Sequence, residues 1–413
     1  MTRRAGTRTF RALAHPAYRL WAVAALVSNT GTWMQRVAQD WLVLTELTAD
    51  SALALGVVTG LQFAPMLLLA PWTGLVADRF DRRRVLLVTQ AAQGILALAL
   101  GLLVVTGAVE LWHVLLLAAG LGVATALDAP ARQTFVSALV PAPDLPNAVS
   151  LNSATFHTGR LLGPAAAGLL IAGVGTGWVF LVNAATFAAT LLALVALRRR
   201  PQERLPRAGG LRDGLAYVRS RPDLVMVLAL VAVIGMLGLN MQLTSAVMAR
   251  VEFGRGPDDF GFLGSLAAVG AVAGALVAAR RERPRLRTVV LAALAFGAAS
   301  TASALMPTFW LYAASLVPVG LTALTLMTTA NATVQTTTPP ELRGRVMALY
   351  LAIFLGGTPL GSPLVGWIGE LSGPRWTIGV GAVAALAAGG TALVWLARRE
   401  RVRTAAHDPV PDG

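Results

Sequence analysis

The chain has 413 residues, of which 56% are hydrophobic and only 13% charged, with a mean hydropathy of +0.66. Soluble chains carry about 25% charged residues, so these residues cannot supply a soluble shell and the chain is read as integral to a membrane. It has no cysteine and no lysine, its 34 basic residues all being arginine, which excludes disulfides, thiol catalysis, cysteine metal sites, a P-loop and Schiff-base chemistry.

A spanning helix needs about 20 mostly apolar residues. Along the chain such runs fall at 18–46, 53–77, 84–106, 111–138, 146–172 and 177–197, and after a polar gap at 224–248, 258–280, 287–305, 309–337, 345–371 and 375–397. These are twelve predicted transmembrane helices, six on each side of the gap. Arg3, Arg4, Arg8, Arg11 and Arg19 precede the first run, as in a secretion signal. That run, however, carries Asn29, Gln35, Arg36, Gln39 and Asp40 and has no small-residue cleavage site. Span 1 is expected to be retained.

The net charge of +14 is parcelled between the runs. Both tails and the even-numbered gaps hold 28 arginines, whereas the odd-numbered gaps hold only Arg250, Arg255 and Arg375. Positive residues collect on the cytoplasmic side, where anionic lipid attracts them. The split predicts cytoplasmic termini and a multi-pass protein of the plasma (inner) membrane, with the bilayer and not nucleic acid as the partner of the charge. Four scattered histidines (His15, His113, His157, His407) make no HExxH pair, and there is no GxSxG. No metal, no cofactor and no enzymatic activity are expected.

The domain reading is a first six-helix unit over 1–197, a cytoplasmic linker over 198–223, a second unit over 224–400 and a cytoplasmic tail over 401–413. Within the linker, Leu211, Leu215 and Val218 fall on one helical face and Arg212, Arg219 and Arg221 mostly on the other, as in a helix lying at the membrane surface.

The two halves repeat. PDLPNAV, starting at Pro143, returns as PELRGRV at Pro340; Gly159, Gly163 and Gly168 return as Gly357, Gly361 and Gly366; GLVADRFDRRR, starting at Gly74, returns as GALVAARRERPR at Gly274. The offsets are 197, 198 and 200, and six intervening spans give both copies the same orientation.

Two parallel six-helix halves resemble the major facilitator superfamily, and local motifs sharpen the likeness. Gly74, Asp78, Arg79, Arg82 and Arg83 match its motif between helices 2 and 3, with Asp81 where the second glycine is usual. Gly159, Gly163, Pro164 and Gly168 match the motif of its drug–proton antiporters, with Ala167 replacing one glycine. SNTGTWMQRVAQDWLVLTELTADSALALG, LDAPARQ and LPNAVSLNS look like the branch that contains the enterobactin exporter and related efflux proteins. The resemblance implies an all-α membrane protein with the major facilitator fold, a small-molecule substrate, protons as coupling ion and a monomer. The implied activity is export of a small hydrophobic or amphiphilic compound, such as a drug or siderophore, by alternating access. An importer or uniporter would need a polar cavity, which the second half barely supplies; a scaffold or sensor would not need the latch and antiporter motifs.

Charged residues inside spans carry the site expectations, because each costs about 2.5–3.5 kcal/mol at a helix centre. Arg36 and Asp40 lie four apart on span 1, where they can pair, and are assigned to proton coupling, with a static ion pair that locks span 1 to its neighbours as the equal rival. Asp128 and Arg132 repeat that spacing on span 4 around Pro130 and are assigned to a cytoplasmic gate, with a structural ion pair as the rival reading. Gly74, Asp78, Arg79, Arg82 and Arg83 form the expected conformational latch. Gly159, Gly163, Pro164 and Gly168 are expected to allow close helix packing. Asn29, Gln35, His157, Asn240 and Asn331 are expected to line a substrate cavity, and Trp33, Trp41 and Phe63 to offer stacking surfaces.

Overall fold

The structure, a computed structural model, describes residues 8–70, 72–73, 79–197, 211–279 and 286–405, except the side chains of residues 8–9, 211–213, 279 and 400–405. Among the described residues every regular element is helical. The first half holds α1 (Pro16–Trp41, prolonged by a wide turn over Leu42–Leu47), α2 (Ala52–Leu68), α3 (Arg82–Val105), α4 (Leu111–Phe135), α5 (Leu145–Val174) and α6 (Thr176–Ala196). A short α7 (Leu211–Arg219) precedes the second half: α8 (Pro222–Leu237) with α9 (Met241–Val247), then α10 (Pro257–Ala279), α11 (Leu286–Ala304), α12 (Phe309–Thr337), α13 (Pro340–Ser372) and α14 (Trp376–Ala405). The twelve predicted spans are all present, the seventh as the interrupted pair α8–α9.

Local chemistry sets the helix ends. Ser51 and Thr308 accept hydrogen bonds from the third residue onward, at 3.1 Å from Ala54 N and 3.4 Å from Leu311 N. Asp81, which departs from the family motif, does the same for α3, accepting from Arg84 N at 2.9 Å. Gly175 (φ +89) and Gly373 (φ +101) end α5 and α13 with a reversal that only glycine adopts freely. They also lie 198 positions apart, a further member of the internal repeat.

The repeat extends to packing. In the first half α1 packs on α5, α2 on α4, and α3 on both α4 and α6; in the second, α8 packs on α13, α10 on α12, and α11 on both α12 and α14. These are equivalent pairs, so each half is a six-helix bundle of one design. Two cross-pairs, α2 with α13 and α5 with α10, join the bundles. Large exposed side chains such as Ile95, Leu116, Leu192 and Leu276 cover the outer surface, with Trp112, Trp178, Trp310 and Trp376 exposed near span ends. An apolar exterior with tryptophans at the rims is what a bilayer solvates.

The cores show how the bundles meet. One apolar cluster runs through both bundles at the arginine-poor face, from Met34, Leu44, Leu55 and Phe180 to Val247, Phe260, Leu263 and Tyr312. At the arginine-rich face the bundles have separate clusters, one around Trp21, Leu86, Phe135 and Leu194, the other around Val227, Phe296, Leu326 and Tyr350. Among the described residues the apolar core is shared at one face (the fused face) and separate at the other (the divided face).

The linker helix α7 docks on the second bundle. Its Val218 is buried, Leu215 is exposed, and Gly214 comes so close to α13 that a Cβ there would sit 2.8 Å from Arg345 Cβ. Residues 198–210 of the expected linker lie outside the described residues.

Candidate functional site

The antiporter-motif glycines set the spacing of the helices around the junction. A Cβ on Gly159 would lie 2.9 Å from Asn29 of α1, and one on Gly163 would lie 2.5 Å from Trp33 Cβ, so both seat α5 on α1. Gly168 faces the other bundle, where a Cβ would lie 2.6 Å from the Pro257 carbonyl at the start of α10. The repeated glycines do the equivalent work: Gly357 and Gly361 meet Met236 of α8, and Gly366 meets Ala52 and Leu53 at the start of α2. Small residues here allow backbone contact, both within and between bundles.

Span 7 breaks where Gly361 touches it. The Asn240 side chain donates to the Met236 carbonyl at 2.8 Å, satisfying a group the break would leave without a partner, and Ser362 donates to Asn240 Oδ1 at 2.8 Å. Asn240 is buried and fully occupied in holding the break. Gln35 is likewise buried, accepting from Asn183 of α6 at 2.5 Å. Both expected cavity residues are thus hydrogen-bonded in this arrangement, Gln35 to α6 and Asn240 to its own span and to α13. Asn29 is half-buried, Asn331 accepts from Gln335 at 2.7 Å, and His157 is exposed on the half of α5 nearer the arginine-rich face.

Asp40 is buried at the junction itself. Here α1 meets α9 of the second bundle, which begins at Met241 and Gln242. The expected ion pair with Arg36 does not form. The two groups feel each other's charge, but the Arg36 guanidinium lies over the rings of Trp33 (4.8 Å) and Phe63 (5.0 Å), and its Nε has no hydrogen-bond partner. Trp41 is stacked on Phe260 across the junction at 6.0 Å and is not free to hold a ligand.

Asp128 and Arg132 do pair, at 2.8 Å, and Asp128 also accepts from Thr89 (2.7 Å) and Gln90 (2.8 Å) of α3. Arg132 lies 5.6 Å over Trp21 of α1. Each of these partners belongs to the first bundle, so in this arrangement the pair ties α1, α3 and α4 together and bridges no gate. Of the expected latch, Gly74 and Asp78 lie outside the described residues. Arg79 is exposed; Arg82 donates to the Thr134 carbonyl at 3.4 Å; Arg83 donates to the Leu194 and Val195 carbonyls, at 2.7 and 3.0 Å, at the end of α6.

The fused face carries polar clasps that the sequence reading did not single out. Asp50 accepts from Arg250 at 3.0 Å, and Glu370 accepts from Ser51 Oγ at 3.3 Å and from Leu53 N at 3.2 Å, each joining one bundle to the other. Glu252 accepts from Arg375 at 2.8 Å within the second bundle, and Arg255 lies 3.8 Å from Asp259. The three arginines that broke the sidedness pattern are thus all ion-paired, and that anomaly was the available signal. Among the described residues no group of three or more His, Asp or Glu side chains is arranged to hold a metal.

Two parallel six-helix bundles with repeated glycine contacts, a broken helix and buried charge at their junction define a membrane transporter of the major facilitator fold. The chain belongs to the transmembrane secretion effector family of that superfamily, whose profile matches residues 7–411. It is 29% identical to the multidrug efflux pump Tap of Mycolicibacterium fortuitum over 369 residues, covering 85% of this chain and 88% of that one. It is 28% identical to the enterobactin exporter EntS of Escherichia coli O1:K1 over 372 residues, covering 87% of each. Among solved structures, a POT family transporter superposes with a TM-score of 0.71 at 13% identity, covering 92% of this chain and 96% of that one. A bacterial homologue of the lysosomal transporter Spinster superposes at 0.64 and 16% identity, covering 95% and 96%. The chain is a multi-pass membrane transporter of small molecules and not an enzyme.

Proposed function

We propose that this transporter is a proton-coupled exporter of small hydrophobic or amphiphilic compounds, acting as a monomer in the inner membrane with both termini cytoplasmic. With the arginine-rich face in the cytoplasm, the fused face is the outer one and the structure is inward-facing. The moving units are 1–197 and 224–400, and α7 travels with the second. Export as the direction draws on the printed functions of Tap and EntS.

The observation that carries the reading is the burial of Asp40 where α1 of one bundle meets α9 of the other, which sets a titratable group in the seal between the bundles. Separating the outer faces parts the two and opens Asp40 to outside water. A protonated carboxyl is far less costly to bury than a carboxylate, so proton capture from outside favours resealing of the outer face. That return leaves the cytoplasmic side divided and open to substrate, and re-opening outside delivers the substrate there. In the inward-facing state the carboxyl gives its proton up to the cytoplasmic side, and the resulting buried carboxylate favours re-opening outside with substrate aboard, so one proton moves inward as substrate moves outward. The latch motif, Gly74 to Arg83, is proposed to hold the cytoplasmic side in the opposite state.

The test uses cells lacking their own efflux pumps, loaded with labelled dyes, antibiotics and siderophores, with and without a protonophore. The reading expects protonophore-sensitive loss of at least one compound from wild type and none from Asp40→Asn. Loss that persists in Asp40→Asn would move coupling elsewhere, and faster accumulation in wild type would reverse the direction.

A further inference from the structure

Span 1 presents a second polar feature, a pair of guanidinium groups on one aromatic ring. Arg36 of α1 and Arg160 of α5 lie over Trp33, with Cζ 4.8 and 5.4 Å from the ring centroid, and Arg36 also lies over Phe63 at 5.0 Å. Gly163, one turn beyond Arg160, permits this by letting α5 approach the Trp33 Cβ. Phe156 meets Trp33 edge-on at 6.0 Å, with His157 beside it. The cluster stands where α1, α2 and α5 converge near the middle of the membrane.

Its charge is unbalanced. Among the described residues neither Arg36 nor Arg160 makes an ion pair or a hydrogen bond, and Arg36 Nε is buried with no partner. Both guanidinium carbons lie within 5.4 Å of one ring centroid, so two like charges share a single aromatic surface. The acid nearest in sequence is Asp40, one turn along α1, and it makes no ion pair with either arginine. Aromatic faces stabilise a guanidinium but do not satisfy its N–H groups. A planar fork of donors left open beside flat apolar surfaces matches a carboxylate or sulfonate attached to an aromatic body.

We infer that Arg36 and Arg160, held on Trp33, form the substrate clamp, and that it selects organic anions with an aromatic body. This rests on the exporter reading for its biological meaning, but binding can be measured without transport. A cationic amphiphile would add charge to an already repulsive pair, so the site selects against one.

The probe is a matched series, 2-naphthoate, 2-naphthalenemethanol and 2-naphthylmethylamine, titrated calorimetrically into the purified full-length protein in detergent. Hydrogen bonds to charged groups are worth about tenfold or more in affinity. Naphthoate should therefore bind at least about tenfold tighter than the alcohol, with the amine weakest. Arg36→Gln and Arg160→Gln should each remove most of the acid-over-alcohol preference while leaving alcohol binding unchanged. Arg160→Lys should keep part of it, and size-exclusion profiles identify any variant that has merely misfolded. No acid preference in wild type, including no binding at all, overturns the clamp, as does a preference unchanged in the Arg36→Gln/Arg160→Gln double variant. If the acid preference holds while the cell panel shows no export, the transport reading falls and the anion site stands. If cations are exported and the acid preference is absent, the reverse holds.

Discussion

Arg36–Asp40 and Asp128–Arg132 have the same spacing in the sequence, yet only the second pair forms. The spacing makes pairing feasible; the neighbours decide it. Thr89 and Gln90 of α3 fix the Asp128 carboxylate toward Arg132, whereas Trp33 and Phe63 hold the Arg36 guanidinium aside. Trp33 lies on the same helix as Arg36, but Phe63, Thr89 and Gln90 come from other helices, so a single helix read alone could not separate the two outcomes. The consequence is a difference in phenotype. Asp128→Asn strands Arg132 among buried groups and should destabilise the protein by about 3–5 kcal/mol, seen as a lower thermal midpoint in detergent. Asp40→Asn should leave that midpoint nearly unchanged while removing proton-driven transport. A third acid, Asp144, ties the N-terminal turn to the start of α5: His15 reaches it at 2.7 Å and Arg11 pairs with it, and together they hold its carboxyl below the usual carboxylate range. A lowered folded-state value means its stabilisation is present above the ordinary value of about 4 and is lost as pH falls through the lowered one. The thermal midpoint of wild type should exceed that of Asp144→Asn at pH 6, and the difference should shrink toward zero as pH falls through that range. A difference that persists in strong acid would show that the side chain acts by something other than its charge.

At the scale of elements, the spans and their repeat were legible because bilayer thickness and backbone hydrogen bonding leave a chain of this composition almost one option. The glycine series was legible too, and its partners make physical sense of it. Gly361 is the most demanding member, since a Cβ there would collide with the Met236 carbonyl at the break in span 7. Gly361→Ala should force the α8 and α13 backbones apart and cost about 1–3 kcal/mol, read as a lower thermal midpoint. Gly390, which has open space around it on α14, should accept alanine without loss. Equal effects at both positions would mean that helix propensity, and not contact, is being measured. The break itself was not legible: α8 and α9 form one unbroken apolar run in the sequence, and only the Asn240 bonds to Met236 and Ser362 reveal that the backbone parts there.

For the whole molecule, sequence reached two bundles and their arginine sidedness but not which face was closed. Closure depends on side chains from both halves meeting, and those contacts have separations of hundreds of residues. Here the seal is mainly apolar, through the shared core, while the Asp50–Arg250 clasp is about 40% exposed on each side, 39% and 41%. An exposed pair contributes about 0.2–1 kcal/mol, so Arg250→Gln should shift the balance of states at most about fivefold. Alternate opening of the two faces can be read from paired spin labels, since the chain has no native cysteine to remove. One pair, Ala49→Cys with Ser372→Cys, spans the fused face; the other, Ser137→Cys with Glu341→Cys, spans the divided face. Distance distributions from both pairs, measured with and without Arg250→Gln and Glu370→Gln together, should change in opposite directions. The outer pair should gain a longer component as the inner pair gains a shorter one in matching proportion. An outer pair that lengthens while the inner pair keeps its distribution would contradict alternating access.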